Sequence, residues 1–106
     1  MTRGDIYEIR LPQARSGGHE QGGRRYAVIL QIDELLELST VLVAPTSTKA
    51  RPATFRPEIE IGSDATRVLV EQLRAVDVGR LVGVAGHLST EEQGRVDDAL
   101  ALVLGL

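Results

Sequence analysis

Arg25-Tyr26-Ala27-Val28-Ile29-Leu30-Gln31 is the stretch on which the fold turns. It is a short, nearly continuous apolar run. Such a run reads as a strand covered on both faces. A second run follows at Thr40-Val41-Leu42-Val43-Ala44-Pro45, where the proline closes it. Between the two, Asp33–Leu38 reads as a short helical turn. Two buried strands this close together place the centre of a β structure in the first half of the chain.

Outward from that centre, residues 4–11 (GDIYEIRL) read as a strand with imperfect alternation. Residues 12–23 (PQARSGGHEQGG) form a long loop, with four glycines and a proline. Loops of that length are uncommon in compact domains and often functional. Residues 46–57 (TSTKARPATFRP) read as a second polar, basic loop. Residues 58–61 (EIEI) and 66–71 (TRVLVE) read as strands joined by a hairpin turn over 62–65. Residues 77–81 suggest a helical turn and 83–88 a last short strand. At the end, Ser89 and Glu92 have the spacing of a capping box. Val96, Ala99, Leu100, Val103 and Leu104 then share one helix face, and Gly105 stops the helix. Several short strands and one late helix imply an α+β, mainly β, antiparallel or small-barrel architecture. With 106 residues, one domain spanning 1–106 is expected.

Composition narrows the chemistry. The only aromatics are Tyr7, Tyr26 and Phe55, too few for a stacking platform that binds single strands by aromatics alone. Cysteine is absent, which excludes disulfides and thiolate catalysis and suits a reducing cytoplasm. No stretch has the length of a membrane span, and the first residues do not resemble a signal peptide. The two histidines, His19 and His87, have no acid or cysteine cluster at ligand spacing, so no metal or other cofactor is expected. The glycine pairs lack the Lys-Ser/Thr of a nucleotide-binding loop. Net charge is −3, yet residues 1–56 carry eight basic and six acidic side chains against four and nine in residues 57–106. Eleven of the twelve basic residues are arginine, whose planar fork suits phosphate. Local rather than net charge decides phosphate binding.

Two segments sit in the basic half. In Glu20-Gln21-Gly22-Gly23-Arg24-Arg25, a glycine pair delivers two arginines to the start of the buried strand. An arginine based on a strand can grip a phosphate with two parallel hydrogen bonds. In Pro45-Thr46-Ser47-Thr48-Lys49-Ala50-Arg51, three hydroxyls and two cations follow the other buried strand, a set suited to a phosphodiester. The bland alternatives are a solvated charged loop for the first and, for the second, a turn whose hydroxyls bond their own backbone.

Taken in order along the chain, these segments resemble the MazF/PemK family of RNA-cleaving toxins. The resemblance begins at Arg3-Gly4-Asp5-Ile6-Tyr7 and continues through Glu20–Arg25 and Val43-Ala44-Pro45-Thr46-Ser47. It extends over Val70-Glu71-Gln72-Leu73-Arg74-Ala75-Val76, Gly86-His87-Leu88 and the Leu100–Leu106 tail. It implies an SH3-like β-barrel with a C-terminal helix, a two-fold homodimer, and RNA bound in grooves at the dimer interface. By position, Arg25 is similar to the family's catalytic arginine and Thr46 to its catalytic threonine. Glu20 matches a loop acid of variable importance, and Gln72 a position that contacts bases in some members. Arg24, His19, Ser47, Thr48, Lys49 and Arg51 are the further expected RNA contacts. Three departures stand out: Tyr26 where the family usually has proline, His19 where serine is usual, and a longer first loop.

The implied reaction is sequence-specific, metal-independent and ribosome-independent cleavage of single-stranded RNA. The substrate's own 2′-hydroxyl attacks phosphorus, leaving a 2′,3′-cyclic phosphate and a 5′-hydroxyl. Arg25 and Thr46 would stabilise charge on the phosphoryl oxygens. An arginine is a poor base, so Glu20 or His19 is the candidate acceptor of the 2′ proton, although a lone loop histidine is more often simply solvated. The implied protein partner is an antitoxin with an acidic, disordered tail that masks the basic groove. The rival readings are a degenerate toxin that binds without cutting and a binding protein like the CcdB gyrase inhibitors.

Overall fold

The computed structural model describes residues 1–10 and 25–106. Seven strands and one α-helix follow in the order β1 (Asp5–Ile9), β2 (Arg25–Ile29), β3 (Thr40–Ser47), β4 (Glu58–Ile61), β5 (Asp64–Val68), β6 (Arg74–Asp77), β7 (Leu81–His87) and α1 (Thr90–Leu104). Single 3₁₀ turns occupy Asp33–Leu35, Val70–Gln72 and Val78–Arg80. The strands pair antiparallel as β4-β5-β3-β2-β1-β7, with β6 also on β3. The mainly β class, with one C-terminal helix on a curled, half-barrel sheet, is the one expected. The curl has a local cause. The β1–β7 pairing slips register between Ile6 and Tyr7 and again between Glu8 and Ile9, and such bulges bend and twist a strand pair.

The central strand is covered on both faces, as its composition requires. Val28 and Leu30 belong to one buried cluster with Ile6, Ala44, Ile59, Val68, Val70, Leu88, Val96 and Ala99. Ala27 and Ile29 belong to another with Ile9, Val41, Val43 and Val76. Alternation along β2 therefore feeds two cores. Helix α1 closes the first. Ser89 caps it, accepting from the Glu92 amide at 3.1 Å while Glu92 accepts from the Ser89 amide at 2.9 Å. Gly105 ends it in the left-handed conformation that glycine adopts without steric cost. Glu92 also accepts from the Glu60 amide at 2.9 Å, and Arg95 donates to the Glu58 carbonyl at 3.2 Å. The helix thus leaves β7, one end of the strand order, and fastens to β4, the other. Of its expected apolar face, Val96 and Ala99 are buried and Leu100 and Val103 pack against the core. Leu104 is corrected: it is 54% exposed, because the last turn runs past the edge of the core.

The other corrections lie on β3 and its far neighbour. β3 does not stop at Pro45 but runs on to Ser47, so Thr46 and Ser47 are strand residues rather than loop. Proline is tolerated for a geometric reason. The Pro45 carbonyl accepts from the Leu69 amide at 2.8 Å, so the missing Pro45 donor faces that same side, away from the ladder with β2. Opposite, the expected strand over 66–71 starts earlier, at Asp64, and ends at Val68. The hairpin turn tightens to Gly62-Ser63, with Gly62 at φ 64°, a conformation suited to glycine. A 3₁₀ turn then leads into β6, a strand without a counterpart in the sequence reading. Thr46 faces Val68 and Val43 faces Arg74, so three steps on β3 are matched by six on the other side. The surplus residues bulge out as the turn Val70–Gln72. The helical turn expected at 77–81 is present as Val78–Arg80, with Asp77 accepting from the Gly79 amide. β1 and β7 occupy 5–9 and 81–87 instead of 4–11 and 83–88.

Candidate nucleic-acid interface

A groove of about 750 Å³ opens where the start of β2, the end of β3, the β4–β5 hairpin and the bulged turn meet. Arg25, Thr46, Ser47, Thr48, Lys49 and Gln72, six of the residues singled out in the sequence, all line it. Strand geometry explains the convergence. Arg25 is the first residue of β2, and Ala27 pairs with Pro45, so the start of β2 and the end of β3 lie side by side. Arg25 is exposed there. Thr46 donates its hydroxyl to the Tyr26 carbonyl at 3.1 Å, which fixes its rotamer at the groove wall. Ser47 accepts from the Lys49 amide at 3.1 Å, so this hydroxyl does bond its own backbone while its residue still lines the groove. The bulge of Val70–Gln72 brings Gln72 to the same opening.

Arg51 is not brought there. It is exposed, lies outside the groove lining, and offers its carbonyl to Arg56 at 3.3 Å. Glu20, His19 and Arg24 fall in 11–24, outside the described residues. Four further groove residues with polar side chains carried no assigned role from sequence: Tyr26, Asp64, Thr66 and Arg74. Arg74 lies on β6, a strand with no signal of its own in the apolar pattern, so its direction was not derivable. Asp64 and Thr66 lie on the hairpin, whose turn was placed over 62–65. Tyr26 was visible only as a departure from proline. In the structure it packs half-buried against the first core cluster and supplies the carbonyl that holds Thr46.

Behind the groove wall, Arg56 grips Glu71 with its Nη2 at 2.6 Å and its Nε at 3.0 Å. Arg67 donates to the Arg56 carbonyl at 2.8 Å. These bonds lash the segment after β3 to the bulged turn. Burial alone would raise the Glu71 carboxyl, but hydrogen bonds from Arg56, a backbone hydrogen bond and the guanidinium charge hold it below the ordinary range. Among the described residues, no three His, Cys, Asp or Glu side chains are grouped to hold a metal ion, and no helix is long and apolar enough to cross a membrane.

Residues 2–104 match the model of the PemK-like, MazF-like toxin of type II toxin–antitoxin systems. The chain belongs to that family. A candidate toxin of Mycobacterium tuberculosis strain H37Rv is 41% identical to this PemK/MazF-like toxin over 107 residues, covering 100% of the chain and 99% of the relative. Among solved structures, an endoribonuclease from a mycobacterial species, solved with its cognate antitoxin, superposes with a TM-score of 0.82 at 17% identity, covering 100% of this chain and 96% of that one. The MazF of Deinococcus radiodurans gives 0.77 at 24% identity, with 100% and 97% coverage. The M. tuberculosis toxin MazF-mt6 gives 0.78 at 18% identity, with 96% and 97% coverage. At these identities the solved structures establish a shared fold. The PemK/MazF-like toxin therefore sets its groove on the family's barrel, at the ends of the two strands that the apolar pattern marks most strongly.

Proposed function

We propose that this chain is a ribosome-independent, metal-independent endoribonuclease that cuts single-stranded RNA at specific sequences. The observation that carries the reading is that Arg25 and Thr46, from adjacent strands, both line one groove with Lys49, Arg74 and Gln72. The family and its solved relatives, named as endoribonucleases and as toxins bound to antitoxins, support it.

In the proposed reaction the substrate 2′-oxygen forms a bond to the adjacent phosphorus and the bond to the 5′-oxygen breaks. The products are a 2′,3′-cyclic phosphate and a 5′-hydroxyl. Only RNA has the nucleophile. Arg25 lays its fork on the phosphoryl oxygens as charge gathers there, and donates to the departing 5′-oxygen. Thr46 adds a second donor, leaving the Tyr26 carbonyl as it turns. Donors aimed at a developing oxyanion are each worth about 3–4 kcal/mol. Glu20 takes the 2′ proton. Lys49 and Arg74 hold flanking phosphates, with Arg24, His19, Ser47 and Thr48 as further contacts. Gln72 reads a base.

The protein acts as a homodimer, and a cognate antitoxin silences it by laying an acidic tail along the cationic groove. The test is cleavage of a long single-stranded RNA in EDTA, wild type against Arg25→Ala. Cutting at a few short motifs, lost in the variant while the fold is kept, is the expected result. A folded wild type that leaves the RNA intact sends the reading back to a binding-only toxin.

A further inference from the structure

The groove has two chemically distinct sides. Side chains alternate across a strand, so Arg25 and Ala27 point to one side of the sheet and Tyr26 to the other. Val43 and Arg74, which face each other, share the first side. Thr46 and Val68 face each other and share the second, as do Thr66 and Asp64 by their spacing of two along β5. The first side is cationic. The second carries Asp64, the one carboxylate among the described residues that line the groove. Asp64 is exposed, and among the described residues its side chain has no hydrogen-bond or ion-pair partner. Thr66 beside it is 5% exposed as a residue and lines the same groove. A carboxylate and a hydroxyl thus stand side by side on a groove wall whose other charged groups are cations.

A carboxylate cannot face a phosphate without repulsion, so this corner is not part of the backbone track. We propose that Asp64, with Thr66, forms a base-reading subsite that selects a nucleobase bearing an exocyclic amino group and rejects uracil. This deepens the endoribonuclease reading and rests on it. An ionised carboxylate only accepts hydrogen bonds. Cytosine, adenine and guanine each present an amino donor on the edge exposed in a single strand. Uracil presents two carbonyl oxygens flanking a single N–H, and those oxygens meet the carboxylate with like polarity. Half-buried Tyr26 and Ile61 supply apolar surface for the ring. Four residues of β5 separate Asp64 from the level of Thr46, about 13 Å along the strand. The base read there therefore belongs to a nucleotide neighbouring the scissile phosphate.

The experiment pairs cleavage mapping with binding. Cut sites of wild type, Asp64→Asn and Asp64→Ala are mapped on a long single-stranded RNA. Binding of a short cleavage-resistant oligonucleotide series, carrying cytosine or uracil at each position in turn, is followed by fluorescence anisotropy. One position is expected at which wild type disfavours uracil by about tenfold or more. Asp64→Asn, whose amide can donate to a carbonyl oxygen, brings that ratio towards unity, while preferences at the other positions stay put. The same ratio in all three proteins, or a uniform loss at every site, overturns the proposal. A wild type that binds the series but does not cut defeats the nuclease reading alone, and the cytosine-to-uracil ratio in binding still decides the role of Asp64. Absence of binding to every oligonucleotide overturns both.

Discussion

Thr46 spends its proton on the Tyr26 carbonyl, so in the proposed reaction substrate must compete for that donor. Serine can make the same exchange; valine keeps the shape and offers nothing. Thr46→Val is therefore expected to slow single-turnover cleavage by about 10²–10³-fold, and Thr46→Ser by far less. Near-equal rates for both variants would remove the hydroxyl from the mechanism. At position 25, lysine preserves the charge but not the fork. A loss of about a hundredfold in Arg25→Lys is expected if bidentate contact matters, whereas wild-type rates would reduce Arg25 to a point charge. Their place beside the groove was legible because each adjoins a strong apolar strand, which fixes where the side chain starts; their proposed roles came from the family resemblance alone. The place of Asp64 and Thr66 was not legible. Nothing in a local sequence tells a hairpin carboxylate facing a groove from one facing water; that depends on how the bulged turn opposite them opens the sheet.

At the level of single elements, the capping box and left-handed glycine made α1 readable to within a residue. Ser89→Ala is expected to cost about 1 kcal/mol, seen as a lower midpoint in urea with unchanged slope. A change well under that would mean Glu92 holds β4 without help from the cap. The turn Val70–Gln72 was hidden, because Val-Leu-Val-Glu reads as continuous strand until its neighbour is known. Its tether has a pH signature. The Glu71 carboxyl sits below its ordinary range in the fold, so ionised Glu71 stabilises the protein fully above the unfolded value of about 4.3. That contribution disappears as pH falls through the lower folded value. Glu71→Gln should be less stable than wild type near neutrality, and the gap should shrink steadily in denaturation series taken from pH 6 towards pH 3. A gap that does not change with pH would assign the effect to packing.

For the molecule as a whole, the two-faced burial of β2 was plain from its composition, but which strands it joins was not, since pairing is decided by register over long separations. Ile6 lies fully buried among β2, β4, β5 and the helix. Ile6→Ala should cost about 2–5 kcal/mol and lower the melting temperature by about ten degrees or more; a shift of a few degrees would show a core that readily collapses. Charge is divided along the chain more sharply than its net value of −3 suggests. With Arg25, Lys49 and Arg74 as phosphate contacts, the logarithm of RNA affinity should fall against that of salt with a slope of about −2. A flat line would deny the backbone contacts. The bulge opposite β3 has one further consequence. It is anchored by pairing at both ends, Thr46 with Val68 and Val43 with Arg74, so exposed Gln72 between them can be exchanged without sliding the sheet. Related chains can therefore diverge in what they recognise while inheriting an unaltered framework, and a library randomised at position 72, with the Glu71 tether kept, should yield many folded proteins with new tastes in RNA.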